Sequence, residues 1–335
     1  MKKFLKKAFL IFLLLLLILI FYFFVGKAPE AKDITFGVTF SQKYASEFNL
    51  DWKEVYLALL DDLKVRHLRL IVYWDLFEPE PSRYDFEDID WQLREAEKRD
   101  AEVILVIGMK TPRWPDCHLP DWAKEIDKNL QQERILEMLQ VLVLKYRDNP
   151  IIKYWQVENE PFLVFGDCPW YDKEFFKKEV ELVRSLNNSG KSVLVTESGE
   201  LSTWFPAAKL ADVVGVTMYR KTWWHRAGGF YARYPLPPVH YWRKAKLIEK
   251  IFRKEVIVVE LQAEGWGPKP LPYLPLETQL QIMNVEDFKK NIDFARNSGL
   301  STFYLWGAEW WFFLEKQYDL PDSLIWEEAR KLWHD

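Results

Sequence analysis

The sequence predicts an α/β protein: a single (β/α)8 TIM barrel preceded by an N-terminal transmembrane helix. Three observations carry that prediction. Eight strand-like runs alternate with helix-like segments over roughly 300 residues, the pattern of a closed parallel barrel. Connections are short from helix to strand and long from strand to helix. An unbroken apolar run at 8–25 follows Lys2, Lys3, Lys6 and Lys7.

The strand-like runs are 35–40, 67–74, 102–109, 151–159, 192–196, 212–219, 256–260 and 302–306. Apolar residues dominate them, as expected of strands covered on both faces. The first helical segment repeats Trp52, Val55, Tyr56, Leu59, Leu60 and Leu63 at i, i+3, i+4, i+7. A later stripe joins Val285, Phe288, Ile292 and Ala295. Helix-to-strand links are as short as Val65-Arg66 and Arg99-Asp100. The strand-to-helix stretches 110–128, 161–171, 221–238 and 265–278 are long and rich in Trp, Pro and Gly. One face of the barrel is therefore plain and the other elaborated. In such barrels the site lies on the elaborated face, at the carboxyl ends of the strands.

The apolar run at 8–25 approaches the length that spans a bilayer, and no small-x-small cleavage site follows it. The expected organisation is a cytoplasmic basic segment at 1–7, a transmembrane signal anchor at 8–25 and a linker at 26–34. The catalytic barrel at 35–335 follows on the extracytoplasmic side. The lipid bilayer is thus an expected partner through 8–25. A cleaved secretory peptide is the alternative, and it too sends the barrel across the membrane.

Composition excludes several function classes. The chain has 335 residues and a formal net charge of −4, which argues against a nucleic-acid partner. The two cysteines form no CxxC pair, and the five histidines have no metal-ligand spacing, so no metal is expected. No Walker loop and no GxGxxG occurs, and no organic cofactor is expected. Cys117 and Cys168 fall on the loops after the third and fourth strands. Beyond the membrane they either bridge or remain two free thiols.

Two carboxylates are the strongest chemical signal. The run Tyr154-Trp155-Gln156-Val157-Glu158-Asn159-Glu160-Pro161 reads as a buried strand stopped by a proline. It leaves Glu160 at a strand's carboxyl end beside the Asn159 amide. Val256-Ile257-Val258-Val259-Glu260 delivers a second glutamate in the same manner. Paired carboxyls at strand ends are what cleavage of a glycosidic bond needs. Glu160 is the expected acid/base, with a pKa raised by burial or by a neighbouring carboxylate. Glu260 is the expected nucleophile, with Arg69 supplying charge and Tyr219 a hydroxyl. Asn159 is suited to hold the sugar hydroxyl next to the anomeric carbon. Glu158 shares strand parity with Glu160 and is expected to face the barrel. Asp75, Glu78, Glu197, Glu200, Glu264 and Glu309 end other strands as hydroxyl-binding groups or loop anchors; of these, Glu264 and Glu309 are substrate-binding candidates. Trp74, Trp114, Trp170, Trp223, Trp224, Trp266, Trp306, Trp310 and Trp311 lie in or near the long loops, where aromatic planes stack on sugar C–H faces. Trp74, Trp266 and Trp306 are the candidates for substrate contact. The alternative for each is hydrophobic packing.

These residues also form a pattern. Leu68-Arg69-Leu70 through Trp74 precedes Glu78-Pro79-Glu80-Pro81. Asn159-Glu160-Pro161, the stretch from Asp212 to Tyr219, Val259-Glu260-Leu261-Gln262 and Leu305-Trp306-Gly307-Ala308-Glu309 follow in order. The whole resembles glycoside hydrolase clan A, the retaining (β/α)8 glycosidases, nearest in pattern to families 5 and 42. That resemblance implies that Arg69 sits near the nucleophile, that Tyr219 hydrogen-bonds it and that Trp306 lines a sugar subsite. The expected function is a retaining β-glycosidase acting on an oligosaccharide or polysaccharide by double displacement. The alternatives are a transglycosylase on the same site and an inactive carbohydrate-binding surface protein.

Overall fold

The computed structural model describes residues 2–224, 228–317 and 324–334; residues 225–227, within the predicted loop 221–238, lie outside them. Ten strands occur among the described residues, numbered in chain order. They are β1 (Thr35–Phe40), β2 (His67–Ile71), β3 (Glu102–Ile107), β4 (Ile152–Val157), β5 (Ser192–Glu197), β6 (Val213–Met218), β7 (Lys221–Trp224), β8 (Phe230–Arg233), β9 (Glu255–Gln262) and β10 (Thr302–Trp306). Eight of them close a parallel barrel in the order β1-β10-β9-β6-β5-β4-β3-β2. The remaining two, β7 and β8, pair antiparallel as a hairpin inside the long stretch 221–238. That hairpin was not expected from the sequence. Its strands are four residues each, too short for their alternation to stand out.

The outward faces of the barrel strands pack on the surrounding helices. Val38, Leu68, Leu105, Trp155, Val195, Val216, Val258 and Leu305 belong to one continuous buried core with Leu59, Leu142, Val180 and Ile292. The inward faces form a second cluster of Ile104, Leu194, Val213, Ile257, Val259 and Tyr304. The barrel is therefore filled rather than hollow. The expected first helix spans Trp52–Asp61, with Asp51 capping it through the Lys53 backbone N–H.

Several strands end sooner than the apolar runs suggest. The run at 67–74 stops at Ile71, because Trp74 opens the short helix Trp74–Phe77. The run at 151–159 stops at Val157, because Glu158 and Glu160 adopt φ of 56° and 43°. At the N-terminus the helix Lys2–Phe24 lies outside the core, and a 21-residue stretch of it, Phe4–Phe24, has mean hydropathy 2.8.

Candidate active site

The functional side chains gather at the carboxyl ends of β2, β4, β6 and β9. Arg69 on β2 is fully buried and organises three of them. Its Nη1 donates to Glu260 Oε1 at 2.9 Å, its Nη2 to Asn159 Oδ1 at 2.8 Å and its Nε to Gln156 Oε1 at 2.8 Å. An arginine in a barrel interior is tolerated only when each donor finds an acceptor, and here the fork geometry supplies them. Tyr219, one residue past β6, donates its hydroxyl to Glu260 Oε2 at 2.9 Å. Both oxygens of Glu260 are thus held, one by a cation and one by a phenol.

Glu260 reaches this position through a bulge. Along β9, Ile257 and Val259 face inward, so simple alternation would send Glu260 outward. The register of β9 slips at this point against both neighbours: Val216 pairs with Val258 but Thr217 with Glu260, and Phe303 pairs with Val258 but Leu305 with Leu261. The extra residue turns the Val259 carbonyl toward Thr39 Oγ1, at 3.0 Å, and re-aims Glu260 into the barrel mouth. Leu261 then packs with the outer core beside Val258.

Glu160 comes from the other side. Its backbone N–H donates to Thr196 Oγ1 on β5 at 2.7 Å. Burial pushes its carboxyl well above the usual carboxylate range, and the charge of Glu260 pushes it further. Lys110 pulls the other way; its Nζ donates to the carbonyls of Asn159 at 3.0 Å and Glu160 at 3.3 Å and lies 3.6 Å from Asp116. Asp116 is itself pushed up to about 7 by burial, with Lys110 opposing and Glu260 adding to the rise. Gln156, Lys110 and Asp116 were not read from the sequence. Gln156 was the most legible of them, as a polar residue inside an apolar, aromatic strand.

Glu158 does not face the barrel. Its left-handed backbone turns the side chain outward, where Oε1 accepts from the Met109 N–H at 2.7 Å and Oε2 from the Lys110 N–H at 2.6 Å. Its carboxyl fills the space beside Gly108, whose φ of 130° also calls for glycine. Burial pushes Glu158 up to about 7, and Glu179 on the helix Lys173–Leu186, raised by burial and by the charge of Glu158, shares a hydrogen bond with it.

The substrate-binding candidates divide. Trp266 is half-buried and stands edge-on to Tyr219 with ring centroids 5.2 Å apart. Trp74 is not in the mouth: it is fully buried and donates Nε1 to Glu78 Oε2 at 2.9 Å, because the chain has already turned into a helix there. Trp310 and Trp311 are equally buried, on the helix Ala308–Gln317. Glu264 and Glu309 converge, but on a protein partner: Arg113 bonds Glu264 through Nη1 and Glu309 through Nη2, the latter at 2.9 Å. The Arg113 guanidinium lies between the rings of Tyr44 and Trp306, with centroids 3.6 and 3.9 Å away. One face of Trp306 is therefore covered by protein. Glu200, similarly, accepts from Thr217 Oγ1, the Tyr219 N–H and Tyr241 Oη, as a loop anchor does. Lys153, a cation on β4, pairs with Glu102 at 3.2 Å at the opposite end of the barrel.

Cys117 and Cys168 are joined in a disulfide, with Cα atoms 5.1 Å apart. A cavity of about 300 Å³ opens beside Glu160, with Lys173, Glu197 and Ser198 in its lining.

The same barrel occurs in solved structures. The GH5_18 structure from Bifidobacterium longum subsp. longum superposes with a TM-score of 0.57 at 13% identity, covering 82% of this chain and 70% of that one. A GH5_18 from Streptomyces cattleya in complex with GlcNAc gives 0.53 at 16% identity over the same shares. The cold-adapted β-galactosidase from Rahnella sp. R3 gives 0.55 at 12% identity, covering 92% of this chain and 57% of that one. No protein-family model matches the chain, and neither does any curated protein. At these identities the likeness is one of fold, and it is the (β/α)8 fold that the sequence predicts.

Proposed function

We propose that this chain is a membrane-anchored, extracytoplasmic retaining β-glycosidase. The observation that carries the reading is the asymmetry between the two carboxyls. Glu260 is held by two donors, Arg69 on one oxygen and Tyr219 on the other, while burial and the nearby Glu260 charge favour the protonated form of Glu160. One carboxyl fixed in place by two donors and one with a raised pKa at the same mouth suit a nucleophile and an acid. Glu260 attacks the anomeric carbon as Glu160 gives its proton to the departing oxygen, so the C–O bond breaks and a glycosyl ester forms. Glu160, now ionised, takes a proton from water. The resulting hydroxide equivalent displaces the ester, and Glu260 is released as carboxylate.

Asn159 supports the same step. Arg69 occupies its Oδ1, which leaves the NH2 end for a sugar hydroxyl. The cavity lined by Glu160 adds room beside the acid, and Trp266, edge-on to Tyr219, adds an aromatic ring at the mouth. The GH5_18 and β-galactosidase likenesses agree with a saccharide substrate, including the one bound to GlcNAc. The helix Phe4–Phe24 is long enough to cross a hydrocarbon core of roughly 30 Å, and its preceding lysines favour an orientation with the barrel outside.

A hydrolysis screen of aryl β-glycosides and polysaccharides tests the activity, read by product analysis to separate water from sugar as acceptor. Glu160→Gln is expected to lower turnover by roughly 10²–10⁴-fold, the contribution of a positioned acid. Glu260→Gln is expected to abolish the double displacement. A wild-type rate in either variant overturns that residue's role.

A further inference from the structure

The mouth of the barrel is rimmed by exposed apolar side chains. Outside residues 4–25, eight of the eleven exposed large hydrophobics among the described residues lie after β2, β3, β4, β5, β6 or β9 and ahead of the long helix that follows; Leu130, Leu144 and Ile251 lie on such helices. The most exposed are Val164 at 77%, Tyr273 at 65%, Trp114 at 58% and Leu201 at 56%. Exposed Arg233 and Lys269 stand among them. The opposite end is different in kind. It carries the ion pairs Lys153–Glu102 and Lys254–Asp212, and a cavity of about 590 Å³ there is lined by Lys246, Glu249, Arg253 and Glu255.

The N-terminal helix meets the barrel on the first turns of the helix Pro238–Phe252, where Tyr241 Oη donates to Glu200 beside the mouth. Thr35 begins β1 at the charged end, where its N–H bonds the Ser301 carbonyl at 2.7 Å. The chain before it passes Gly299 at Pro29 and climbs the flank. Phe23 and Phe24 then pack on His240, with ring centroids 5.7 and 5.2 Å away, and Arg243 sits 4.8 Å from the Tyr22 ring. His240 and Arg243 belong to the first turns of the helix Pro238–Phe252, which starts at the mouth and returns to the charged end before β9. Aromatic residues mixed with Arg and Lys are what a protein surface presents to lipid headgroups.

We propose that this rim docks on the bilayer that holds the anchor, so that the barrel's mouth faces the membrane surface. The docking rests on reading residues 4–24 as an anchor and is independent of the glycosidase reading. The site is then offered to saccharides at the membrane surface.

The full chain, reconstituted in phosphatidylcholine vesicles with its disulfide intact, provides the test. Val164→Cys and Tyr273→Cys at the rim and Lys153→Cys at the opposite end are each labelled with bimane, and quenching by doxyl-phosphatidylcholine is read. Groups seated at the headgroup boundary are expected to be quenched at least about threefold more than the Lys153→Cys label. Equal quenching at all three positions, or stronger quenching at the charged end, overturns the proposal. Rim labels untouched by lipid but shielded by a soluble polysaccharide overturn it too and assign the rim to polymer binding. A chain that does not float with the vesicles overturns the anchor together with the docking, while the hydrolysis assays of Glu160 and Glu260 stand or fall separately.

Discussion

Lys110 sets the electrostatic balance of the site through three contacts. It bonds the carbonyls of Asn159 and Glu160 and neighbours Asp116, and its charge opposes the upward push on Glu160 from burial and Glu260. An acid catalyst is active below its pKa, so the alkaline limb of the pH–rate profile reports Glu160. Lys110→Met removes a cation that opposes the rise of that carboxyl, so it is expected to move the alkaline limb to higher pH. A pH series of kcat/KM checks this, and a limb that moves downward or stays in place contradicts it. Roles at this scale were partly legible in the sequence. Glu160 and Glu260 stood out because carboxylates seldom end apolar strands, and Arg69 because it interrupts one. Lys110, Asp116 and Arg113 did not, because they become neighbours only through a folded loop with left-handed backbone at Arg113 and Asp116.

At the scale of elements, the loops after β3 and β4 act as one unit. The Cys117–Cys168 bridge joins them, the Asp167 N–H bonds the Pro115 carbonyl at 2.9 Å, and Gly166, at φ of 94°, lets the backbone pass against Asp116. This unit carries Lys110 and Asp116 toward Glu160. The bridge spans 51 residues of sequence, a loop whose closure constrains the unfolded chain by about 4 kcal/mol in the chain-entropy account. The double substitution Cys117→Ser with Cys168→Ser is therefore expected to lower the thermal midpoint by several degrees; an unchanged midpoint contradicts it. Element type and order were readable because helix and strand periods differ so clearly. Element ends were not, because they are set by positive φ at Glu158 and Glu160 and by the bulge before Glu260. Single-residue backbone choices of this kind leave the apolar pattern unchanged.

Across the whole molecule, buried carboxyls make stability depend on pH. Burial pushes Asp116, Glu158, Glu197 and Glu264 each up to about 7. An acid whose pKa rises on folding binds its proton more tightly in the folded chain than in the unfolded one. Its contribution is fully present below the unfolded pKa, near 4, and is lost as pH rises through about 7. Lys244, pushed down to about 7 by burial, changes its contribution only above that value. The thermal midpoint is thus expected to fall between pH 5 and pH 7, measured by circular dichroism. A midpoint that rises across that interval contradicts the account. The barrel itself was predictable from the count of βα units and the contrast between its two rims. The choice of which loop acids face ligand was not: Glu264 lies two residues past β9 and Glu309 in the helix after β10, and Arg113 claims both.

The account depends on Glu260 forming a covalent bond to the sugar while Glu160 serves as acid and base. Incubation with a panel of 2-deoxy-2-fluoro β-glycosides, followed by proteolysis and peptide mass mapping, tests that most directly. The predicted result is a single glycosyl adduct on the β9 peptide, at Glu260, that still forms in the Glu264→Gln variant. An adduct on another carboxylate, or inverted products with no adduct from the sugars that are hydrolysed, would contradict it.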